Sequence, residues 1–232
     1  MGELPEYIRI EEGKITNIYP GQEEDGNTYK FMDSGGSGKI YLKNTQDIVL
    51  KLIFSYDEFE TPKQFKERCL EEIEKQTYAA QHNLAPMPTY HNYSSSPRFG
   101  FGSKMICYIE MKYLDTHIFP NDPKYTPLVC QFIKDLASIG LINKTDPLLH
   151  FYLDDGRVQM IDFGFVEPID QDNILGDIQQ MAKLCHIDCD ISRTAMGKRK
   201  KPTKTKRKPT KTKRKLNKTK RKPTKTKRKP TS

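Results

Sequence analysis

Three stretches of this 232-residue chain hold side chains whose types and spacing can do chemistry. The first, "MDSGGSGKIY", sets Gly35, Gly36 and Gly38 in a turn between two β-type runs. Without side chains there, backbone N–H groups can approach a phosphate, although many hairpin turns are glycine-rich with no ligand at all. The second is Lys51, thirteen residues after Gly38, inside the apolar run "IVLKLIF". Flanked by Val49, Leu50, Leu52 and Ile53, its ammonium needs an anion to face unless it points to solvent from an edge strand. The third is "VQMIDFGFVEP", residues 158–168, where Asp162 stands at the mouth of a strand just before Phe163 and Gly164. A carboxylate so placed is either a ligand for a hard cation or a polar residue closing a turn. Glu71, Glu72 and Glu74 all offer Lys51 an anion, and the apolar pattern around them does not choose.

The elements that must position these residues are legible as periodicities. "YKFMD", "KIYLK" and "DIVLKLIF" read as three consecutive antiparallel strands joined by "SGGSG" and "NTQ". The stretch "TPKQFKERCLEEIEKQTYAAQHNLAP" opens with Thr61 as N-cap and Pro62 at the first helical position, and runs as a charged helix to Asn83. Phe65, Cys69 or Leu70, Ile73 and Tyr78/Ala79 recur at helical intervals and give it one buried face. Two further β-type runs, "RFGFGSK" and "MICYIEMKYL", bring the expected sheet to five strands. An apolar helix follows from Pro127 to Leu141, ending near Gly140; then comes a hairpin turning at Asp155-Gly156, and a last helix, "ILGDIQQMAKLCHI". Strands first and helices second make an α+β chain.

Taken in order, the glycine-rich hairpin, strand lysine, acidic helix, "YIEMKYLD" segment and Asp162-Phe163-Gly164 resemble the protein kinase superfamily. The chain is similar to the small kinase-like proteins of large DNA viruses, of the iridovirus type, and to truncated kinase effectors of bacterial pathogens. The resemblance spans about residues 29–187. It implies a minimal two-lobed protein-kinase-like fold, with a five-stranded antiparallel N-lobe sheet plus one helix over residues 29–114 and a small helical C-lobe over 115–197. Residues 1–28 would be an N-terminal extension. It further implies ATP and Mg²⁺ as cofactors, with Gly35, Gly36 and Gly38 over the phosphates. Lys51 would hold the α- and β-phosphates with Glu72 as its partner. Met111 would be gatekeeper, with Lys112 to Leu114 offering hinge backbone to adenine, and Asp162 would hold the metal.

The chain also departs from the family. Counting back from Asp162, the catalytic-loop His, Asp and Asn positions fall on Ile142, Lys144 and Leu149. A protonated lysine cannot accept a substrate proton. Asp146 lies two residues late for the catalytic carboxylate, and His150 one residue beyond the second metal-ligand position. Asp177 sits where the family's buried aspartate ties a late helix to the catalytic loop. Only about 33 residues separate Gly164 from the tail, too few for a peptide-substrate platform. Two functions compete: a protein Ser/Thr kinase of weak or atypical activity, and a catalytically inactive pseudokinase that binds a host partner protein.

Charge divides the chain. Of 39 Lys and Arg, 20 fall in residues 198–232, which hold no Asp or Glu; the 30 acidic residues therefore meet 19 basic ones over residues 1–197, a net of −11. The tail repeats a seven-residue unit with Pro202, Pro209, Leu216, Pro223 and Pro230 in phase. Without an apolar seam and with recurring proline it reads as disordered. It could be a solubilising appendage, a localisation signal or an arm binding nucleic acid non-specifically through phosphate charge, which gives a third reading of function. Five cysteines (Cys69, Cys107, Cys130, Cys185 and Cys189), with no paired CxxC and no signal-peptide pattern, point to a reducing intracellular compartment, host cytoplasm or nucleus if the chain is viral. "CHIDC" is a weak zinc signal. No apolar run approaches the roughly 20 residues of a membrane span.

Overall fold

The computed structural model describes residues 6–12, 14–18, 27–34, 38–43, 47–55, 60–96, 104–145 and 150–190, all of which fall in one compact unit, Met1–Ala195. The expectations for Gly35, Gly36, Asp146, Leu149, most of "RFGFGSK" and the basic tail lie outside the described residues.

The chain is α+β, and its main sheet is larger than five strands. Seven antiparallel strands, β1 (Tyr7–Glu11), β2 (Lys14–Ile18), β3 (Thr28–Ser34), β4 (Gly38–Lys43), β5 (Ile48–Phe54), β6 (Pro88–Ser96) and β7 (Lys104–Lys112), run in the order β2-β1-β3-β4-β5-β7-β6. The β3-β4-β5 meander is the one read from the sequence. The two extra strands come from the segment taken as an extension: alternation in "YIRIE" puts Ile8 inward, fully buried, while Tyr7 pairs with Lys30 across the sheet. Among the described residues, the strand that precedes β7 lies at Pro88–Ser96, a stretch not read as a strand from the sequence. None of its nine residues is Ala, Val, Leu, Ile or Met, so periodicity has little to register. The sheet curls until β2, at one edge, comes near β6, at the other.

Residue parity along β5 separates two cores. Leu50 and Leu52 point into the curl with Ile8, Tyr29, Tyr41 and Tyr108, whereas Val49 and Ile53 point outward against Phe65, Cys69 and Ile73. Those three side chains belong to α1 (Pro62–Gln81), which begins with a capping box: Thr61 Oγ1 accepts from the Gln64 N–H at 3.3 Å and Gln64 Oε1 accepts from the Thr61 N–H at 3.0 Å. Burying Phe65 and Ile73 contributes roughly 1.5–3 kcal/mol each.

After β7 the described residues are only partly helical. Two helices, α2 (Thr126–Ser138) and α3 (Ile174–Leu184), are joined by small sheets made of β8 (Thr116–His117), β9 (Leu141–Asn143), β10 (Phe151–Asp154), β11 (Arg157–Met160) and β12 (Val166–Pro168). The β10–β11 hairpin turns in two residues, Asp155 at φ 49° and Gly156 at φ 76°, the left-handed pair a type I′ turn requires. Phe132, Ile133, Phe151, Phe163 and Met181 fill this core. A reducing compartment would leave the cysteines as thiols, yet Cys130 of α2 and Cys189 form a disulfide with Cα atoms 5.5 Å apart. Their sequence separation of 59 carries no local signal. Among the described residues, no helix is long and apolar enough to cross a membrane.

Candidate functional site

Lys51 shares the α1-facing side of β5 with Val49 and Ile53, so α1 is placed to supply it a partner. β5 is a central strand between β4 and β7, which excludes the edge-strand alternative in which Lys51 points to solvent. The inward stripe of α1 runs Phe65, Cys69, Glu72, Ile73, Gln76 and Ala79, whereas Glu71 and Glu74 are exposed. Helical geometry therefore selects Glu72, and Lys51 Nζ lies 2.6 Å from its Oε1. Glu71 instead pairs with Lys75 one turn along the outer face.

The third member arrives from β11. Asp162 follows Met160 and Ile161, and its Oδ1 lies 2.9 Å from Lys51 Nζ. It does not close a hairpin. It precedes a 3₁₀ turn, Phe163–Phe165, with left-handed backbone (φ 65°) and a side chain accepting from the Gly164 N–H at 3.4 Å. Positive φ at a non-glycine residue costs of order 1 kcal/mol and persists where surrounding packing imposes it. Phe163, fully buried in the core below, supplies that packing. Gly164 packs closely: a Cβ there would lie 3.1 Å from Glu72 Oε2 and 3.4 Å from Asp162 Oδ1, so the glutamate would have to give by a few tenths of an ångström. The Asp-Phe-Gly order thus has a local reason here, namely a carboxylate turned to the lysine, an anchor, and room for the glutamate.

Lys51 and Glu72 are 5% and 4% exposed. Burial opposes the charge on Lys51, but the carboxylates of Glu72 and Asp162 outweigh it and hold its pKa above the ordinary lysine range. Burial likewise opposes ionisation of Asp162; the Lys51 ammonium, then His150 and the Gly164 N–H, overcome this and hold it below the usual carboxylate range. The cluster is an ionised cation clamped by two carboxylates from three separate segments.

Around it, Gly38 opens β4 opposite Ile53, and a Cβ there would run into the Leu52 carbonyl oxygen; that close approach is reason enough for glycine. Met111 is buried at the end of β7, its Sδ accepting from Gln76 Nε2 at 3.4 Å, and Leu114 is buried. Lys112 is exposed and reaches across to Asp154 at 2.7 Å. The Tyr113 N–H, within the expected hinge, is already donated to the Asp47 carbonyl at 2.7 Å. His150 accepts through its backbone carbonyl from the Ile161 N–H at 3.0 Å, and it helps to hold the Asp162 pKa down.

Lys144, just after β9, has a partner of its own in Asp177 of α3, at 2.9 Å; Asp177 also accepts from the Asp170 N–H at 2.8 Å. The hydrogen bond from Lys144 to the Asp177 carboxylate raises the Lys144 pKa, so the ammonium stays protonated. Burial opposes ionisation of Asp177, while the Asp170 N–H and Lys144 hold its pKa low. The Lys112–Asp154 contact and the disulfide escaped the sequence reading, since neither belongs to a motif or a period. No protein-family model matches the chain, and no curated protein matches it.

Proposed function

We propose that the chain is a protein-kinase-like phosphotransferase, of minimal two-lobed kinase-like fold, that takes Mg·ATP beside Lys51 and Asp162 and passes phosphate to Ser or Thr of a protein. The observation that carries this reading is the convergence of Lys51, Glu72 and Asp162, drawn from a strand, a helix and a strand-to-3₁₀ junction. Phosphoryl transfer asks mainly for positioned charge, and a buried ammonium oriented by a glutamate suits nucleotide phosphate oxygens.

Asp162 fits Mg²⁺, a hard ion that takes one or two carboxylates and completes its shell with water and phosphate. His150 fits less well, because imidazole suits softer transition metals. Among the described residues no group of three or more His, Cys, Asp and Glu stands ready to hold a metal alone, so the phosphates would have to complete the shell. Mg²⁺ would supply neutralisation of developing phosphate charge. Lys51 would orient the α- and β-phosphates and Glu72 would keep Lys51 in place, while Met111 and Leu114 would border the base.

A second reading, a pseudokinase-like binding module, draws on Lys144. A committed ammonium where the family carries its base cannot take the acceptor's proton, and absence of a general base costs typically 10²–10⁴ in rate. Weak turnover is the expectation under the first reading and none under the second. A labelled-ATP assay on the full chain, Lys51→Met and Asp146→Ala decides: label in the wild type that both variants lose supports transfer, and equal label in all three ends it. Melting with and without Mg·ATP tests binding itself, since a ligand of the native state raises stability by mass action.

A further inference from the structure

A hollow of about 810 Å³ opens between α3 and the strand-less segment after it, lined among others by Lys183, His186, Ile187, Asp188 and Cys189, none of which belongs to the ion-pair cluster. Its volume lies in the range of small-molecule sites. Cys189 is one half of the disulfide to Cys130. The other half sits, partly exposed, on α2 with Lys134 one turn further along the same face, its Nζ donating to the Asp190 carbonyl at 2.6 Å. The segment is held to α2 by these features and by the packing of Ile187 and Cys189 in the core around Phe132 and Ile133, with Cys130 Sγ also 3.8 Å from the Asp188 carbonyl.

We propose that Cys130–Cys189 is a thiol–disulfide exchange site, reached through this hollow by small thiols and dithiols, and that its opening loosens the part of the chain that delivers Asp162. The two cysteines are 59 residues apart, and the loop they close contains Lys144, His150, Asp162 and Asp177. A cross-link of that span removes a large share of the unfolded loop's freedom, so cutting it falls on this half of the molecule.

The exchange balances without any further reactant. A thiolate of the dithiol attacks Cys189 Sγ, the Cys130–Cys189 bond breaks, and its electron pair leaves on Cys130 Sγ. The dithiol's second sulfur then attacks the mixed disulfide and releases Cys189. The dithiol is oxidised to its cyclic disulfide, the cystine is reduced to two thiols, and the dithiol's two protons end on the cysteines.

The test uses the full chain purified without reductant and dithiothreitol as the probe. Alkylation after denaturation should count three thiols before treatment of the folded protein and five after it. The melting temperature of the reduced protein should fall by about 10 °C and return on reoxidation. A Cys130→Ser/Cys189→Ser variant should melt like the reduced protein and ignore dithiothreitol, while Cys185→Ser should respond like the wild type. A count that stays at three in the folded protein, a reduced form that melts with the oxidised one, or a double variant that cannot fold would each overturn the proposal. The consequence for nucleotide rests on the kinase-like reading: Mg·ATP should raise the melting temperature less in the reduced form. If Mg·ATP moves neither form, that reading fails, while thiol count and melting still decide the exchange site.

Discussion

Replacing Lys51 with methionine keeps most of the side-chain volume and removes only the ammonium between Glu72 and Asp162. At 2.6 and 2.9 Å, and an effective dielectric of about 20, each attraction is worth roughly 6 kcal/mol before desolvation is subtracted. Desolvation consumes most of that, but taking one partner away leaves buried charge uncompensated and typically costs about 3–5 kcal/mol. For a chain of this size that is a fall of about 6–20 °C in melting temperature. The pH dependence is more telling. In the wild type the Asp162 carboxyl titrates below its ordinary value, so its contribution is present above about pH 4 and is lost as pH falls through the lower folded value. The Lys51 pKa is raised, so its share is full below about pH 10 and constant through neutrality. Without Lys51 only His150 and the Gly164 N–H still oppose burial, so the Asp162 carboxyl rises from its wild-type value and the variant loses less stability on acidification. The deficit measured by urea unfolding should therefore shrink between about pH 8 and about pH 5. A deficit below about 1 kcal/mol, or one that does not change with pH, would refute the account of a buried, charged cluster.

Gly164→Ala should cost about 1–3 kcal/mol and abolish any Mg·ATP melting shift, because its Cβ would press on Glu72 Oε2 at 3.1 Å; a variant that melts and responds like the wild type counts against the close-approach argument. Asp177→Asn keeps an acceptor for the Asp170 N–H but strips Lys144 of its counter-charge, so stability should fall at neutral pH, with the gap to wild type narrowing below about pH 4, as equilibrium unfolding would read. Deleting residues 198–232 should remove essentially all salt-dependent binding to duplex DNA, because 20 of the chain's cations lie there and the remainder is net negative; a truncated chain that binds as tightly in a salt titration would contradict this.

The elements around the site were legible because each has a short-range cause. Thr61, Pro62 and Gln64 start α1 through bonds within one turn, Asp155-Gly156 sets the hairpin through its own backbone angles, and the apolar runs of β3 to β5 announce a meander. Parity within "IVLKLIF" already contained the side on which Lys51 would emerge. What only the tertiary structure decided has long-range causes. Glu72 is singled out over Glu71 and Glu74 because α1 lies on the sheet in one rotation, and Lys144 meets Asp177 because β9 and α3 pack together. The strands at 7–18 and 88–96 form because a curled sheet offers them partners, one of them despite a polar sequence. Cys130 finds Cys189 across 59 residues. Local sequence sets which backbone conformations are cheap; which distant side chains then share a dry interior depends on how whole elements bury their apolar faces against one another, and no window of neighbouring residues contains that.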